Sequence, residues 1–273
     1  MKIINTTNLV VTLMLLLISS CEREITIDLN KSNPRYVIEG NISNDKNDTS
    51  KIIISRTLNF DQTIQYPKVS GAFVTITDTV TNVIDTLKEL KSGIYGKISF
   101  FGKEGHTYKM YVKIGSDTFI ATSTMPYSQR LDSLKQLNLA GTVFPGGPPA
   151  GTPAAGKIVQ LLPVYKKSIN TDKYYQYVIA KNDSLLNRII AGMDIVSNPI
   201  PIDFPLYLQA KKNDTIYFDM RFMEKSAFEY LMEINANVGQ FSATPSNPLS
   251  NISNGALGFF KAHTSQKKKI IIK

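Results

Sequence analysis

TYKMYVKIGSDTFIATS, residues 107–123, holds two strands and the turn between them. Tyr108, Met110 and Val112 alternate with Lys109, Tyr111 and Lys113, the period of two that sends every second side chain to one face of a β-strand. Gly115, Ser116 and Asp117 break the alternation, and Thr118–Ser123 resumes it with β-branched and aromatic residues. Upstream the texture is the same. Tyr36–Ile42, Lys51–Thr57, Ala72–Asp78, Val83–Leu87 and Ile94–Phe100 read as strands, with turn signals at Ser92-Gly93 and from Gly102 to Gly105. Seven strands in about a hundred residues are the pattern of an immunoglobulin-like β-sandwich. No Trp and no second Cys are present to mark an antibody-type domain.

Downstream, Met125-Pro126 closes this unit, so residues 35–128 are expected to form the sandwich and residues 129–273 a second β-rich domain. Arg130, Leu131, Asp132, Ser133 and Leu134 start a new polar and apolar alternation. Residues 141–156, GTVFPGGPPAGTPAAG, are too rich in Gly and Pro for a central strand or a stable helix and read as an exposed loop. Lys157–Val164, Lys173–Ala180, Phe204–Gln209 and Thr215–Phe222 follow as strands. Glu224–Val238 changes period: Ala227, Leu231, Ile234 and Val238 fall on one face, Glu229 and Glu233 opposite, Glu224 in the first turn and Gly239 as a stop. Leu257–Ala262 and Ile270–Ile272 read as a terminal pair of strands.

At the other end, Lys2 and Leu9–Ile18 (LVVTLMLLLI) have the charged and apolar regions of a signal peptide spanning residues 1–20. A ten-residue apolar run makes about 15 Å of helix, half of the ~30 Å hydrocarbon core, so removal is expected and not a permanent span. Ser19-Ser20-Cys21 resembles a bacterial lipobox, with Ile18 where Leu and Ser20 where Gly or Ala are commoner. Cys21, the single cysteine, is then the lipidated first residue, and residues 21–34 are a tether. Multiple acyl chains at ~0.8 kcal/mol per buried methylene give stable anchoring. Glu22 and Glu24 resemble the surface-export signal of Bacteroidota lipoproteins, which implies the outer face of the outer membrane, and they read equally as a charged, solvated tether, so an outer-membrane lipoprotein on its periplasmic or outer face is expected.

With the leader removed, roughly 250 residues remain, enough for real cores without disulfides. Hydrophobic residues make up 42% and charged residues 19%, so the chain buries enough apolar surface to fold. The net charge of +9 is scattered except at Lys267-Lys268-Lys269 beside Ile270–Ile272, which reads as a solvated turn before a terminal strand, with a basic patch meeting an anionic membrane or glycan surface as the alternative. No nucleic-acid module accompanies the charge, and an exported protein does not meet nucleic acid.

Chemistry-bearing motifs are sparse. His106 and His263 sit in Gly-His-Thr and Ala-His-Thr without metal-ligand spacing, and read as turn or edge residues. Gly151–Lys157 has the glycine and lysine spacing of a phosphate loop, but Ile158 replaces the required hydroxyl. Ser43–Lys46 and Ser265–Lys268 match Ser-x-x-Lys without its companion motifs. Asp172, Asp183, Asp194, Asp203, Asp214 and Asp219 recur in the second half and read as turn starters, with a carboxylate pair for glycoside hydrolysis as the alternative. No metal or cofactor is implied. Asp followed by Ser or Thr and an aliphatic residue resembles the O-glycosylation acceptor of Bacteroidota exported proteins, making Thr79, Thr86, Ser133, Ser184 and Thr215 candidate hydroxyls; the same pairs also open strands after turns.

PSNPLSNISNGALGFF at 245–260, Tyr174-Tyr175 and the entry strand Tyr36-Val37-Ile38-Glu39-Gly40 together resemble a family of Bacteroidota lipoproteins, the domain-of-unknown-function 4249 family. The resemblance covers most of residues 21–273, and 141–156 is long for such a protein. It implies an envelope lipoprotein acting beside TonB-dependent outer-membrane receptors. In physical terms Asn254-Gly255 is a turn dipeptide and Gly258 permits close strand approach. Two functions are therefore expected to compete: a non-enzymatic module binding a receptor, glycan or peptide, and a hydrolase with paired carboxylates in the second domain. A deep pocket with two close, partly buried carboxyls would favour the hydrolase.

Overall fold

The computed structural model describes residues 34–48, 50–58, 65–137, 157–166, 171–196, 206–238 and 247–273. Cys21, the leader, the tether up to Asn33 and the loop 141–156 lie outside the described residues. The chain is mostly β, with one helix among the described residues, in the order β1 (Tyr36–Ser43), β2 (Lys51–Arg56), β3 (Phe73–Asp78), β4 (Val83–Lys91), β5 (Ile94–Gly96), β6 (Thr107–Ile114) and β7 (Asp117–Thr124). Then come β8 (Leu131–Leu137), β9 (Lys157–Tyr165), β10 (Lys173–Lys181), β11 (Ser184–Leu185), β12 (Ile190–Asp194), β13 (Leu206–Ala210), β14 (Thr215–Met223), α1 (Lys225–Val238) and β15 (Leu257–Ile271).

The first seven strands form a β-sandwich. One layer carries β1, β2 and β5; the other carries β3, β6 and β7, and β4 serves both by pairing with β3 through Val83–Leu87 and with β5 through Lys88–Lys91. The register shifts between Glu89 and Lys91, the kind of irregularity that lets one strand change sheets. Ile38, Ile42, Ile52 and Ile54 meet Val74, Ile76, Met110 and Val112 across the interior, the buried members of the alternations read above. A second pair of layers follows: β10, β11, β12 and β14 face the three-stranded sheet β13-β9-β8, enclosing Leu161, Leu206 and Leu208 against Tyr175, Tyr177, Phe218 and Phe222.

β15 joins the two. Its first half runs parallel to β1, Val37 to Ser43 beside Leu257 to His263, and its second half runs antiparallel to β14, Thr264 to Ile271 beside Phe222 to Thr215. Phe260 and Ala262 belong to the first core with Ile252 and Ala256, while Ile270 and Ile272 belong to the second. Glycines make the junction possible. Gly258 has φ +94°, and a Cβ there would stand 2.1 Å from the Ile38 carbonyl oxygen; a Cβ on Gly40 would stand 2.4 Å from the Phe260 ring. Asn254 and Gly255 have φ +56° and +68°, as a turn dipeptide requires.

Several expectations are corrected. The terminal pair of strands is one strand of 15 residues, and Lys267-Lys268-Lys269 lies inside it and not in a turn. Ile94–Phe100 is a strand only to Gly96, because the chain turns at Ile98 and Ser99, the latter at φ +62°. β11 and β12 were not expected; they follow a turn at Asn182 and Asp183, both at positive φ. Glu224 precedes the helix instead of occupying its first turn.

Candidate functional site

Antiparallel register sets the outer face of the second sheet in rows. Ala191, Gln176, Arg221 and Ser265 are neighbours across four strands; Val178, Asp219 and Lys267 form the next row, and Leu185, Ala180, Tyr217 and Lys269 the one after. Helix α1 covers one end of this face. Ala227 and Phe228 are buried against it, the Phe228 ring 5.4 Å from Tyr174 and the Tyr230 ring 4.9 Å from Phe259. An ion pair between Lys225 and Glu229 at 3.4 Å runs along its exposed side.

Beyond the helix the face becomes polar. Arg221 Nε donates to Asp219 at 2.7 Å, and its guanidinium stands 3.6 Å from Asp48. Asp219 also accepts from the Ser265 hydroxyl at 2.6 Å, and Lys261 donates to Gln176 at 3.2 Å. The segment between β1 and β2 adds two contacts: Asn44 accepts from the Ser265 N–H, and Asp45 pairs with Lys267. Burial works to raise the Asp45 carboxyl, but hydrogen bonds from Lys267 and the Asn47 N–H outweigh it and hold the group below the usual carboxylate range. Burial pushes the Lys261 ammonium down to about 8, helped by the Arg221 charge. His263 is fully buried and neither ring nitrogen has a hydrogen-bond partner; burial first, then Lys261, Arg221 and Lys267, hold it neutral well below its ordinary pKa. Asn41 Oδ1 and Thr264 Oγ1 are likewise buried without partners.

The rows farthest from the helix lie open as a groove of about 420 Å³. Val178, Ala180, Leu185 and Tyr217 supply apolar surface, and Arg221, Lys267, Lys268 and Lys269 supply positive charge, met by Asp219 in the lining and by Asp45 and Asp48 beside it. Lys269 Nζ lies 5.3 Å from the centre of the Tyr217 ring, within cation–π range. A second groove of about 440 Å³ lies between β10 and β13, but its cations are tied to backbone carbonyls, Lys181 to Gln209 and Arg188 to Tyr207. In the first groove Arg221 and Lys267 are paired with carboxylates, which leaves Lys268 and Lys269 without one among the described residues; in the second groove both cations are engaged.

The residues singled out in the sequence are scattered. Thr79, Thr86 and Ser184 are exposed, Ser133 and Thr215 half-buried, and no two share a strand. Thr79 donates to the Thr107 carbonyl, while Asp78 accepts from the Val80 and Thr81 N–H groups, the side-chain turn that such Asp-Thr pairs form. His106 is a loop residue 2.8 Å from Asp78, but His263 lies in the middle of β15, not at a turn or edge. A histidine between Ala262 and Thr264 reads as exposed because nothing local reveals which segment will cover it. Of the recurrent aspartates, Asp203 lies outside the described residues; Asp214 is held low by the Lys211 N–H and Asn182, and Asp219 faces Arg221 and Ser265. No group of three His, Cys, Asp or Glu side chains suited to a metal occurs among the described residues. Arg221 and Tyr217 were missed; their period-two placement with Asp219 and Lys269 was the available signal.

A family model described as Domain of unknown function (DUF4249) matches residues 22–269. No curated protein matches. Among solved structures, the chicken interferon gamma receptor alpha chain is similar over 88% of this chain and 98% of that one, at 8% identity and a TM-score of 0.22. Chicken CNTN1 FN1–FN3 domains are similar over 70% of this chain and 60% of that one, at 13% identity and a TM-score of 0.21.

Proposed function

The chain belongs to the DUF4249 family, and from that premise we propose that it is a lipid-anchored binding module of the bacterial envelope, held in the outer membrane through Cys21 and docking a partner protein on the open outer face of its second sheet. A TonB-dependent receptor is the kind of partner that the location suits. The observation that carries the reading is the abrupt change along one sheet face. Helix α1 seals the end with Tyr174 and Phe259, whereas the rows ending in Lys267 and Lys269 are left as a groove with apolar walls, where Lys268 and Lys269 have no carboxylate partner among the described residues. Mixed apolar and basic surface of this kind suits contact with a partner that carries acidic groups. Of the recurrent aspartates, Asp214 is held below its ordinary pKa by the Lys211 N–H and Asn182, which opposes proton donation from it at neutral pH.

Affinity capture of the lipoprotein from its own membranes, with a photo-crosslinker at Tyr217, tests the proposal. The expected result is one receptor recovered in equal amount and crosslinked through Tyr217, with Cys21→Ser abolishing both membrane retention and capture. Recovery of no protein, or full membrane retention of Cys21→Ser, overturns it.

A further inference from the structure

We infer that the groove's partner contributes an extended acidic polypeptide segment, which adds as a strand to the open edge of β15; this deepens the binding-module reading and rests on it. β1 ends at Ser43, and no other strand among the described residues pairs with Thr264–Ile271 on the side away from β14. Two hydrogen-bond directions assign the amides. Ala262 and Ile272 donate on the β14 side, to Ser123 Oγ and the Asp214 carbonyl, whereas Ser265 and Lys273 donate on the other side, to Asn44 Oδ1 and Gln136 Oε1. Successive amides of a strand alternate between its two edges. The N–H groups of Lys267, Lys269 and Ile271 therefore point to the open edge, between the two capped ends, and meet no acceptor among the described residues.

Lysine on an exposed edge normally discourages strand addition, because an incoming strand would have to bury or face its charge. Three successive lysines make that discouragement conditional on charge. A neutral or basic segment is rejected, while one carrying Asp or Glu turns the same repulsion into attraction. Lys267 is engaged by Asp45 and Lys268 sits opposite Phe218 on the other face of the sheet, so Lys269 carries the selection, and exposed Ile271 offers an apolar contact at the far end. A sulfated glycan or lipid phosphate would use the cations, but a row of amide donors spaced about 7 Å apart fits the alternate carbonyls of a polypeptide.

The test uses the full mature chain and three labelled synthetic peptides: one alternating Glu and Val, its Lys and Val twin, and the acidic peptide N-methylated at alternate residues. Fluorescence anisotropy should show the acidic peptide binding at least about tenfold tighter than the basic twin and the methylated peptide. Hydrogen exchange should slow at Lys267, Lys269 and Ile271. Lys269→Glu should invert the preference between the twins, and Lys269→Pro, which removes an edge donor while leaving the ladder to β14 intact, should weaken the acidic peptide. Equal binding of the twins, acidic binding without slower exchange on β15, or binding of anionic vesicles or sulfated glycan in place of the peptide overturns the inference. In each of those cases a receptor crosslinked through Tyr217 would still uphold the binding module, so the two readings fail separately.

Discussion

At the scale of the residue, His263 is the least expected feature, since a fully buried imidazole with no partner leaves an N–H unsatisfied in a low-dielectric interior. Held neutral in the fold but free to protonate near 6.5 in the unfolded chain, it makes the unfolded state bind more protons as pH falls. Stability should therefore decline from about pH 6.5 downward, by at most about 1.4 kcal/mol per pH unit from this group. Urea midpoints measured from pH 7.5 to 5.5 should fall for the wild type and stay level for His263→Leu. Lys261 acts at the other end of the scale: its folded pKa of about 8 lies below the unfolded 10.5, so its desolvation cost is fully present below pH 8 and is relieved as pH rises towards 10. Lys261→Met should remove that rise in midpoint. Glycines divide by what surrounds them. Gly258→Ala would press a Cβ into the Ile38 carbonyl and should cost at least about 3 kcal/mol in chemical denaturation, whereas Gly71→Ala, at φ +76° with nothing within 4 Å, should cost about 1 kcal/mol.

At the scale of the element, helix α1 was legible because four apolar residues recur at helical spacing, yet the role of Glu224 was not. An acid before a helix reads as a partner for the N-terminal dipole. Here its carboxylate accepts from the Ser123 hydroxyl at 2.6 Å and the Thr124 N–H at 3.2 Å, and Ser123 in turn accepts from the Ala262 N–H. The start of the helix is thus tied through β7 to β15. Glu224→Ala should cost about 1–3 kcal/mol, the range for losing hydrogen bonds to a charged group, and Glu224→Gln distinctly less; thermal melting of the two variants checks the order. The same limit explains the lysine run. Lys267-Lys268-Lys269 resembles a solvated turn in isolation, but pairing with Asp219, Phe218 and Tyr217 of β14 makes it strand.

At the scale of the molecule, two cores share one strand, so stability in one is expected to reach the other. Phe260→Ala in the first core and Phe218→Ala in the second should each lower the same single thermal transition, with calorimetric and van't Hoff enthalpies in agreement. Two separated transitions would mean that β15 does not couple them. The sequence alone determined that the chain is β-rich, where most strands and the one helix lie, and that Asn254-Gly255 turns, since alternation and turn chemistry are properties of neighbouring residues. Only the tertiary structure decided that residues 257–271 run as one strand through both cores, that His263 is sealed inside it, and that Lys267–Lys269 border an open edge. Strand pairing, burial and edge exposure depend on which distant segments arrive alongside, and no local period encodes that.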